Sequence, residues 1–222
     1  MKKRLLEPEV TAGGTVFSGF RASVGPYRSV QVSGTFEYGE IPAGTTSLEV
    51  DIQYSPDGRT GWTTRKSFDV PTGAGANECA VISQVLPYSG APGYVRLRYA
   101  GTPAIRGSVT PAVRVERTMT AIPEFHAAPE PVRTGRPHTL TGRLSRLAPV
   151  VKPMAGQRID YYFRPAGSAA WTHMGGSVTA ADGTFRKSFT ATRTGSWYAR
   201  YEHPDAAHFA AASRVDEVVV TL

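Results

Sequence analysis

The sequence carries one strand-and-turn motif twice, and this duplication limits the chain more than any other feature. Ile159-Asp160-Tyr161-Tyr162-Phe163-Arg164 leads through Pro165-Ala166-Gly167 to Trp171, and Val50-Asp51-Ile52-Gln53-Tyr54-Ser55 leads through Pro56-Asp57-Gly58 to Trp62. Each copy alternates apolar with polar side chains, breaks at a Pro/Gly turn and returns to a tryptophan, as a half-buried strand entering a hairpin does. Pro presets φ for such a turn and Gly accepts positive φ. A chain that states this pattern twice in 222 residues is one β-domain written in tandem.

The flanking segments repeat as well. Val30, Val32, Gly34 and Phe36 alternate with Gln31, Ser33 and Thr35, and His138, Leu140, Gly142 and Leu144 alternate with Thr139, Thr141 and Arg143. A strand glycine at the same place in both copies predicts a large neighbour lying over the backbone, and the tryptophan is the expected one. Gly93-Tyr94-Val95-Arg96-Leu97-Arg98-Tyr99 matches Gly195-Ser196-Trp197-Tyr198-Ala199-Arg200-Tyr201, which puts Val95, Leu97 and Tyr99 inward in one copy and Trp197, Ala199 and Tyr201 in the other. Val113 and Val115 close the first copy, and Val218, Val220 and Leu222 the second.

About seven strands per half follow, with no helical period of useful length. The expected fold class is all-β: two tandem Ig-like or fibronectin-III-like antiparallel β-sandwiches, spanning residues 1–117 and 118–222, with 1–16 a loose start. Val10–Phe20, with its Gly13-Gly14 pair, is expected as an edge strand. Asp182-Gly183 predicts a hairpin into Thr184–Phe189. Lys187, on the face of Phe185 and Phe189, requires either a bulge there or a lysine that snorkels. Arg117–Phe125, short and not Gly/Ser-rich, predicts a stiff junction and a fixed relative orientation.

Charge and cysteine usage exclude several functions. The net charge of +7 is spread evenly, 13 Lys+Arg against 10 Asp+Glu in residues 1–117 and 12 against 8 in 118–222. No basic stripe marks a nucleic-acid surface, so none is expected. Cys79 is the only cysteine, which rules out an intrachain disulfide, and it reads as a small buried or half-buried residue. Met1-Lys2-Lys3-Arg4 opens like a signal peptide, but only Leu5-Leu6 follows where about 7–15 apolar residues are needed. No run approaches the roughly 18 residues of a membrane span.

Pro131 and Gly135, Leu140-Thr141-Gly142-Arg143-Leu144, Ala155-Gly156-Gln157-Arg158-Ile159, Trp171, Asp182-Gly183-Thr184-Phe185, Gly195-Ser196-Trp197 and the Val-rich end resemble the bacterial Ig-like domains of exported proteins from high-GC Gram-positive bacteria. The excess of arginine over lysine, 20 to 5, reads as the codon bias of such a genome. The first half follows the pattern more loosely, with Thr72-Gly73-Ala74-Gly75-Ala76 in place of the Asp-Gly hairpin. The resemblance implies an extracellular or cell-envelope setting and a role as spacer, adhesion or binding unit. It carries no catalytic residues and no cofactor.

Motifs for chemistry fail on their own terms. Gly175-Gly176-Ser177-Val178-Thr179 lacks the last glycine and the strand-then-helix context of a nucleophile elbow, and Gly73-Ala74-Gly75 lacks a third glycine and a following helix. Glu202-His203-Pro204-Asp205 with His208 is the densest set of metal-ligand types and reads as a solvated loop. Pro56-Asp57-Gly58 and Asp182-Gly183 offer one carboxylate each and read as turns, not calcium loops. Glu49 with Asp51, and Asp216 with Glu217, read as surface carboxylates in cross-strand ion pairs.

The outer face of the second domain is the expected binding surface. If the strands of Asp160-Tyr162-Arg164 and Tyr198-Arg200 are neighbours, these five residues form one exposed patch, and tyrosine and arginine are the residue types of binding hot spots. The first domain offers Asp51, Gln53, Arg96 and Arg98 at the corresponding places. The expected function is a non-catalytic structural or protein-interaction module. The alternatives are a module for envelope glycan, a self-associating structural subunit, and a hydrolase assembled from His173, His203 and Asp205.

Overall fold

The computed structural model describes residues 13–73 and 78–222. The chain divides between Glu116 and Arg117 into two compact units, each all-β. Among the described residues no helix is long and apolar enough to cross a membrane. The start of the chain through Ala12 and part of the 72–76 loop lie outside the described residues.

In the first unit the alternating segments become β1 (Thr15–Val24), β2 (Ser29–Tyr38), β3 (Ser47–Ser55), β4 (Thr63–Pro71), β5 (Glu78–Pro87), β6 (Gly93–Tyr99), β7 (Ser108–Val109) and β8 (Val113–Val115). One sheet has the order β1-β2-β5. The other runs β4-β3-β6 and is completed by β7 and β8, both paired to β6. Val30, Val32, Phe36, Val50, Ile52, Ile82, Val95 and Leu97 fill the space between them. These are the alternate residues that period-two reading turns inward.

The second unit repeats the plan with β9 (Thr120–Ala128), β10 (Val132–Arg133), β11 (Pro137–Arg146), β12 (Lys152–Pro153), β13 (Arg158–Pro165), β14 (Thr172–Val178), β15 (Thr184–Thr190), β16 (Gly195–Tyr201), β17 (Ala211–Ala212), β18 (Asp216–Val218) and β19 (Val220–Thr221). β11 is flanked by β9, β12 and β15, while β14, β13 and β16 form the facing sheet with β17 and β18. This is the fibronectin-III-like variant of the Ig sandwich, in which the fourth strand joins the sheet of the third. Leu140, Leu144, Ile159, Tyr161, Phe185, Trp197, Ala199 and Tyr201 make its core.

Both units interrupt the last strand in the same way. Thr110 Oγ1 accepts the Leu97 amide at 3.0 Å, and Ser213 Oγ accepts the Ala199 amide at 2.9 Å. The N–H groups of Thr110 and Ser213 donate back to the Leu97 and Ala199 carbonyls. A hydroxyl residue thus replaces a strand carbonyl at the break, so the central amide of the neighbouring strand stays satisfied where the ladder is cut.

The second unit also brings its two ends side by side. β10 pairs with β19 in parallel, and Thr118 with His208 and Ile122 with Ser213 form parallel bridges. Thr120 Oγ1 donates to the Phe209 carbonyl, and Asp216 Oδ2 accepts the Ala127 amide.

Several sequence expectations need correction. The expected Val10–Phe20 strand begins outside the described residues; among them the first strand is Thr15–Val24, which runs past the expected end at Phe20. A bulge between Ser18 and Arg21, with Gly19 at φ 59°, lets it continue past Phe20. The strand glycines do not face tryptophans: a Cβ on Gly142 would meet Phe185 at 2.4 Å and the Glu124 carbonyl at 2.8 Å, and one on Gly34 would meet the backbone of Ser18 and Phe20 at 3.2–3.3 Å. Of the two alternatives for Lys187 the snorkelling one is met, with Nζ donating to the Gly176 carbonyl at 3.0 Å while β15 keeps regular register with β11. Leu222 points to solvent. Cys79 is exposed, on the outer face of β5 opposite Glu37.

Candidate functional site

The register of β13 against β16 builds the outer face of the second unit. Asp160 stands opposite Arg200, Tyr162 opposite Tyr198, and Arg164 opposite Ser196. On the other side of β13, Tyr162 stands opposite His173 of β14. Alternation along each strand sends all these side chains away from the core, so the face follows directly from period two plus register.

Four rings run across this face. Tyr162 and Tyr198 stack with centroids 5.1 Å apart and planes 12° from parallel. Trp171 meets Tyr198 edge to face at 4.4 Å, and His173 lies 5.3 Å from Tyr162 on the opposite flank. The Arg164 guanidinium sits over Trp171 at 4.6 Å. Such offset and edge contacts suit the ring quadrupoles, and each aromatic pair adds about 0.5–1.5 kcal/mol beyond its buried area. All four rings are partly exposed.

Asp160 is not part of the exposed patch. It is only 3% exposed, covered by Arg158 and His173. Arg158 donates to it from Nε at 3.1 and 3.2 Å and from Nη2 at 2.9 Å, and His173 Nε2 donates at 2.9 Å. Burial alone would raise the Asp160 carboxyl, but these bonds outweigh it and hold the group below its ordinary range. Asp160 therefore anchors the His173 side of the ring array from beneath.

Arg200 does not bridge to Asp160 either. Its Nε lies 3.8 Å from Glu202 Oε1. Burial, followed by the nearby Glu202 carboxylate, pushes the Tyr162 hydroxyl up to about 12. Of the five predicted residues, the structure thus brings Tyr162, Tyr198, Arg164 and Arg200 onto one half-exposed face and places Asp160 under it.

Trp171, His173, Arg158 and Glu202 complete the array and were not assigned to it from sequence. Arg158 and Glu202 had a readable signal, being two residues from Asp160 and Arg200 on the same strand faces. Trp171 and His173 did not, because a bulge in the β13–β14 register between Asp160 and Tyr162 changes the parity of β14.

In the first unit Gln53 and Arg96 stand where the second has Tyr162 and Tyr198, and the one tyrosine of β6 on that face is Tyr94, with Arg114 5.9 Å from its ring. Arg96 donates from Nε to Gln53 Oε1 at 3.0 Å and lies over Trp62 at 3.8 Å, and Arg98 is 3.8 Å from Asp51. Ser67 Oγ also donates to Asp51 at 2.7 Å. In both units, then, the repeated tryptophan lies on the outer face beside an arginine.

The remaining candidates are held in local contacts. Asp205 Oδ1 accepts from His208 Nδ1 and from the Ala207 amide, both at 2.8 Å, while His173 belongs to Asp160, so the hydrolase set is split between two clusters. Asp57 accepts from the Thr60 hydroxyl, the Arg59 and Thr60 amides and Ser55, which fixes the turn and lowers its carboxyl well below the usual range. Asp182 closes its own turn through Thr184. Among the described residues no group of three or more His, Cys, Asp or Glu is placed to hold a metal ion.

No family model matches this sequence, and no curated protein sequence matches it. Solved structures do. The FN1–FN3 domains of chicken CNTN1 align over 93% of this chain and 67% of their own, with 8% identity and a TM-score of 0.45. The D0-D1 domain of intimin aligns over 91% and 98%, with 14% identity and a TM-score of 0.31. A superoxide reductase (neelaredoxin) from Ignicoccus hospitalis covers 46% of this chain and 82% of its own, with 18% identity and a TM-score of 0.34.

Proposed function

We propose that the chain is a non-catalytic interaction module of two rigidly linked Ig-like domains, and that its second domain binds a protein partner through the face of Tyr162, Arg164, Tyr198 and Arg200. The observation that carries this reading is the stacked pair of Tyr162 and Tyr198, extended by Trp171 and His173 and flanked by arginines. Aromatic and arginine side chains held on strands lose little further freedom on binding, which is what a hot spot requires.

The same geometry favours protein over glycan. A sugar stacks on an open ring face, whereas here Tyr162 lies between Tyr198 and His173, and Arg164 covers one face of Trp171. The array offers ring edges, hydroxyls and guanidinium groups, which suit peptide carbonyls and carboxylates. The composition of Arg117–Phe125, short and not Gly/Ser-rich, supports a stiff junction. The resemblance to exported tandem Ig-like domains supports a setting outside the cell or in its envelope.

The test is capture from envelope and lysate fractions of the source organism, comparing wild type with a Tyr162→Ala, Tyr198→Ala, Arg200→Ala variant whose fold is verified by circular dichroism. A protein retained by wild type and lost by the variant supports the reading. Retention by both moves binding off this face, and tryptophan quenching by soluble envelope polysaccharide would favour the glycan alternative.

A further inference from the structure

Among the described residues β5 is a sheet edge, paired only with β2, and the chain supplies its own standards for comparison. The edge strands β4, β14 and β15 each carry a device against pairing. β4 has Arg65, Lys66 and Asp69, β15 has Arg186 and Lys187, and β14 has a bulge with Gly175 at φ 96°. Between Cys79 and Leu86 β5 has none of these. It makes ten consecutive pairs with β2 without a register shift, from Ser29–Pro87 to Tyr38–Glu78. From Cys79 to Pro87 it contains no Asp, Glu, Lys or Arg.

Its outer face is also apolar where the others are charged. Val81 is 84% exposed and Val85 57%. The rows running inward from them are neutral: Val81 faces Thr35 and then Ser18, and Val85 faces Gln31 and then Ser23. Long, unbroken in register, rich in β-branched residues and uncharged from Cys79 onward, this strand has features that make an edge pair with another strand.

We infer that β5 is the docking edge for a second copy of this chain, joined antiparallel about a two-fold axis at Ser83. The two valines are equally spaced from Ser83, so this register sets Val81 of each copy against Val85 of the other and Ile82 against Gln84. Both open edges are satisfied at once in a closed, symmetric pair, and the two β1-β2-β5 sheets become one. The pattern of β5 fits a second β5: about Ser83 the pair sets exposed valine against exposed valine with no like charges face to face, whereas a β15 pair about its own midpoint would set Lys187 against Lys187. An edge joint of this kind lies below the roughly 1,000 Å² of a stable interface, so the dimer is a weak, concentration-dependent one.

The test is sedimentation velocity on the full chain under reducing conditions, across a dilution series from low micromolar to near millimolar. Wild type is expected to rise from the 23.8 kDa monomer toward twice that mass. Val81→Lys/Val85→Lys, two outward changes that leave the core untouched, is expected to stay monomeric with unchanged circular dichroism. Val178→Lys, at an exposed position of the second unit, is expected to behave as wild type. A cross-link checks the register. Ser83→Cys in a Cys79→Ser background is expected to oxidise to a disulfide-linked dimer, because residues directly opposite in an antiparallel pair have Cα atoms about 4.5–5.5 Å apart. Native Cys79 is eight residues out of register with its own copy, about 27 Å, and is expected not to cross-link. A wild type that remains monomeric throughout overturns the inference, as does a dimer that survives Val81→Lys/Val85→Lys or one that Val178→Lys abolishes.

Discussion

Replacing His138 tests how the second unit's core responds to acid. The ring is 2% exposed, opposite Phe189 in the sheet register and 5.2 Å from Trp197 edge to face. Neither ring nitrogen has a hydrogen-bond partner. Burial lowers the pKa of the ring, while the Phe189 backbone pulls the other way but falls short of a hydrogen bond. Lowering the folded value below the unfolded one, about 6.5, means the unfolded chain binds the extra proton first. Stability is therefore full above about pH 6.5, declines as pH falls below it, and levels off once pH passes the depressed folded value. One proton sets the steepest slope at about 1.4 kcal/mol per pH unit. His138→Leu removes that slope, and at pH 8 it trades an unpaired buried polar group, costing about 1–3 kcal/mol, against a lost ring contact of about 0.5–1.5 kcal/mol. Guanidinium unfolding in a Trp62→Phe background leaves Trp171 and Trp197 as the reporters, both in the second unit. The stability gap between variant and wild type should widen from pH 8 to pH 5. A gap that stays constant would refute the reasoning, since it would mean His138 titrates alike in both states.

Gly142→Ala should destabilise the second unit by about 1–3 kcal/mol, because its Cβ overlaps both Phe185 and the Glu124 carbonyl. Gly34→Ala should cost the first unit less, since its contacts give way by only a few tenths of an ångström. Urea unfolding of the two variants gives the ranking. Asp160→Asn should cost about 1–3 kcal/mol at pH 7. Because the folded Asp160 pKa is depressed, its contribution persists above the unfolded value of about 3.9 and fades as pH falls below it, so the variant and wild type should converge near pH 2. Tyr198→Ala should uncover the face of the array that meets Trp171 and shift tryptophan emission to the red, and unchanged emission would mean the 4.4 Å contact does not shield the indole.

Strand pairing was legible because the chain states it twice. Matching Gly93–Tyr99 with Gly195–Tyr201 was enough to place Tyr198 beside Tyr162. Depth was not legible from alternation. Asp160 alternates outward as expected, yet Arg158 and His173 close over it, and nothing in a period of two says how far a neighbour's long side chain reaches. Parity failed where a bulge intervened. The β3–β4 register shifts between Ile52 and Gln53 and the β13–β14 register between Asp160 and Tyr162, which carries both Trp62 and Trp171 to the outer faces. Cys79 was misplaced for a simpler reason. A small apolar residue fits either face of an edge strand, and only the partner Glu37 shows which one it took.

The parallel alignment of the second unit's ends governs how it carries tension. Residues 118–133 run alongside 208–221 in the same direction, joined at Thr118–His208, Ile122–Ser213 and Val132–Val220. A pull on the chain's two ends drags these segments in opposite senses, so the bonds between them share the load in shear instead of opening one after another. Resistance to forced unfolding is set by the height of the unfolding barrier, and cutting this seam should lower it. Thr120→Val, which removes the hydroxyl bonded to the Phe209 carbonyl, should reduce the rupture force of this unit in a single-molecule pulling trace.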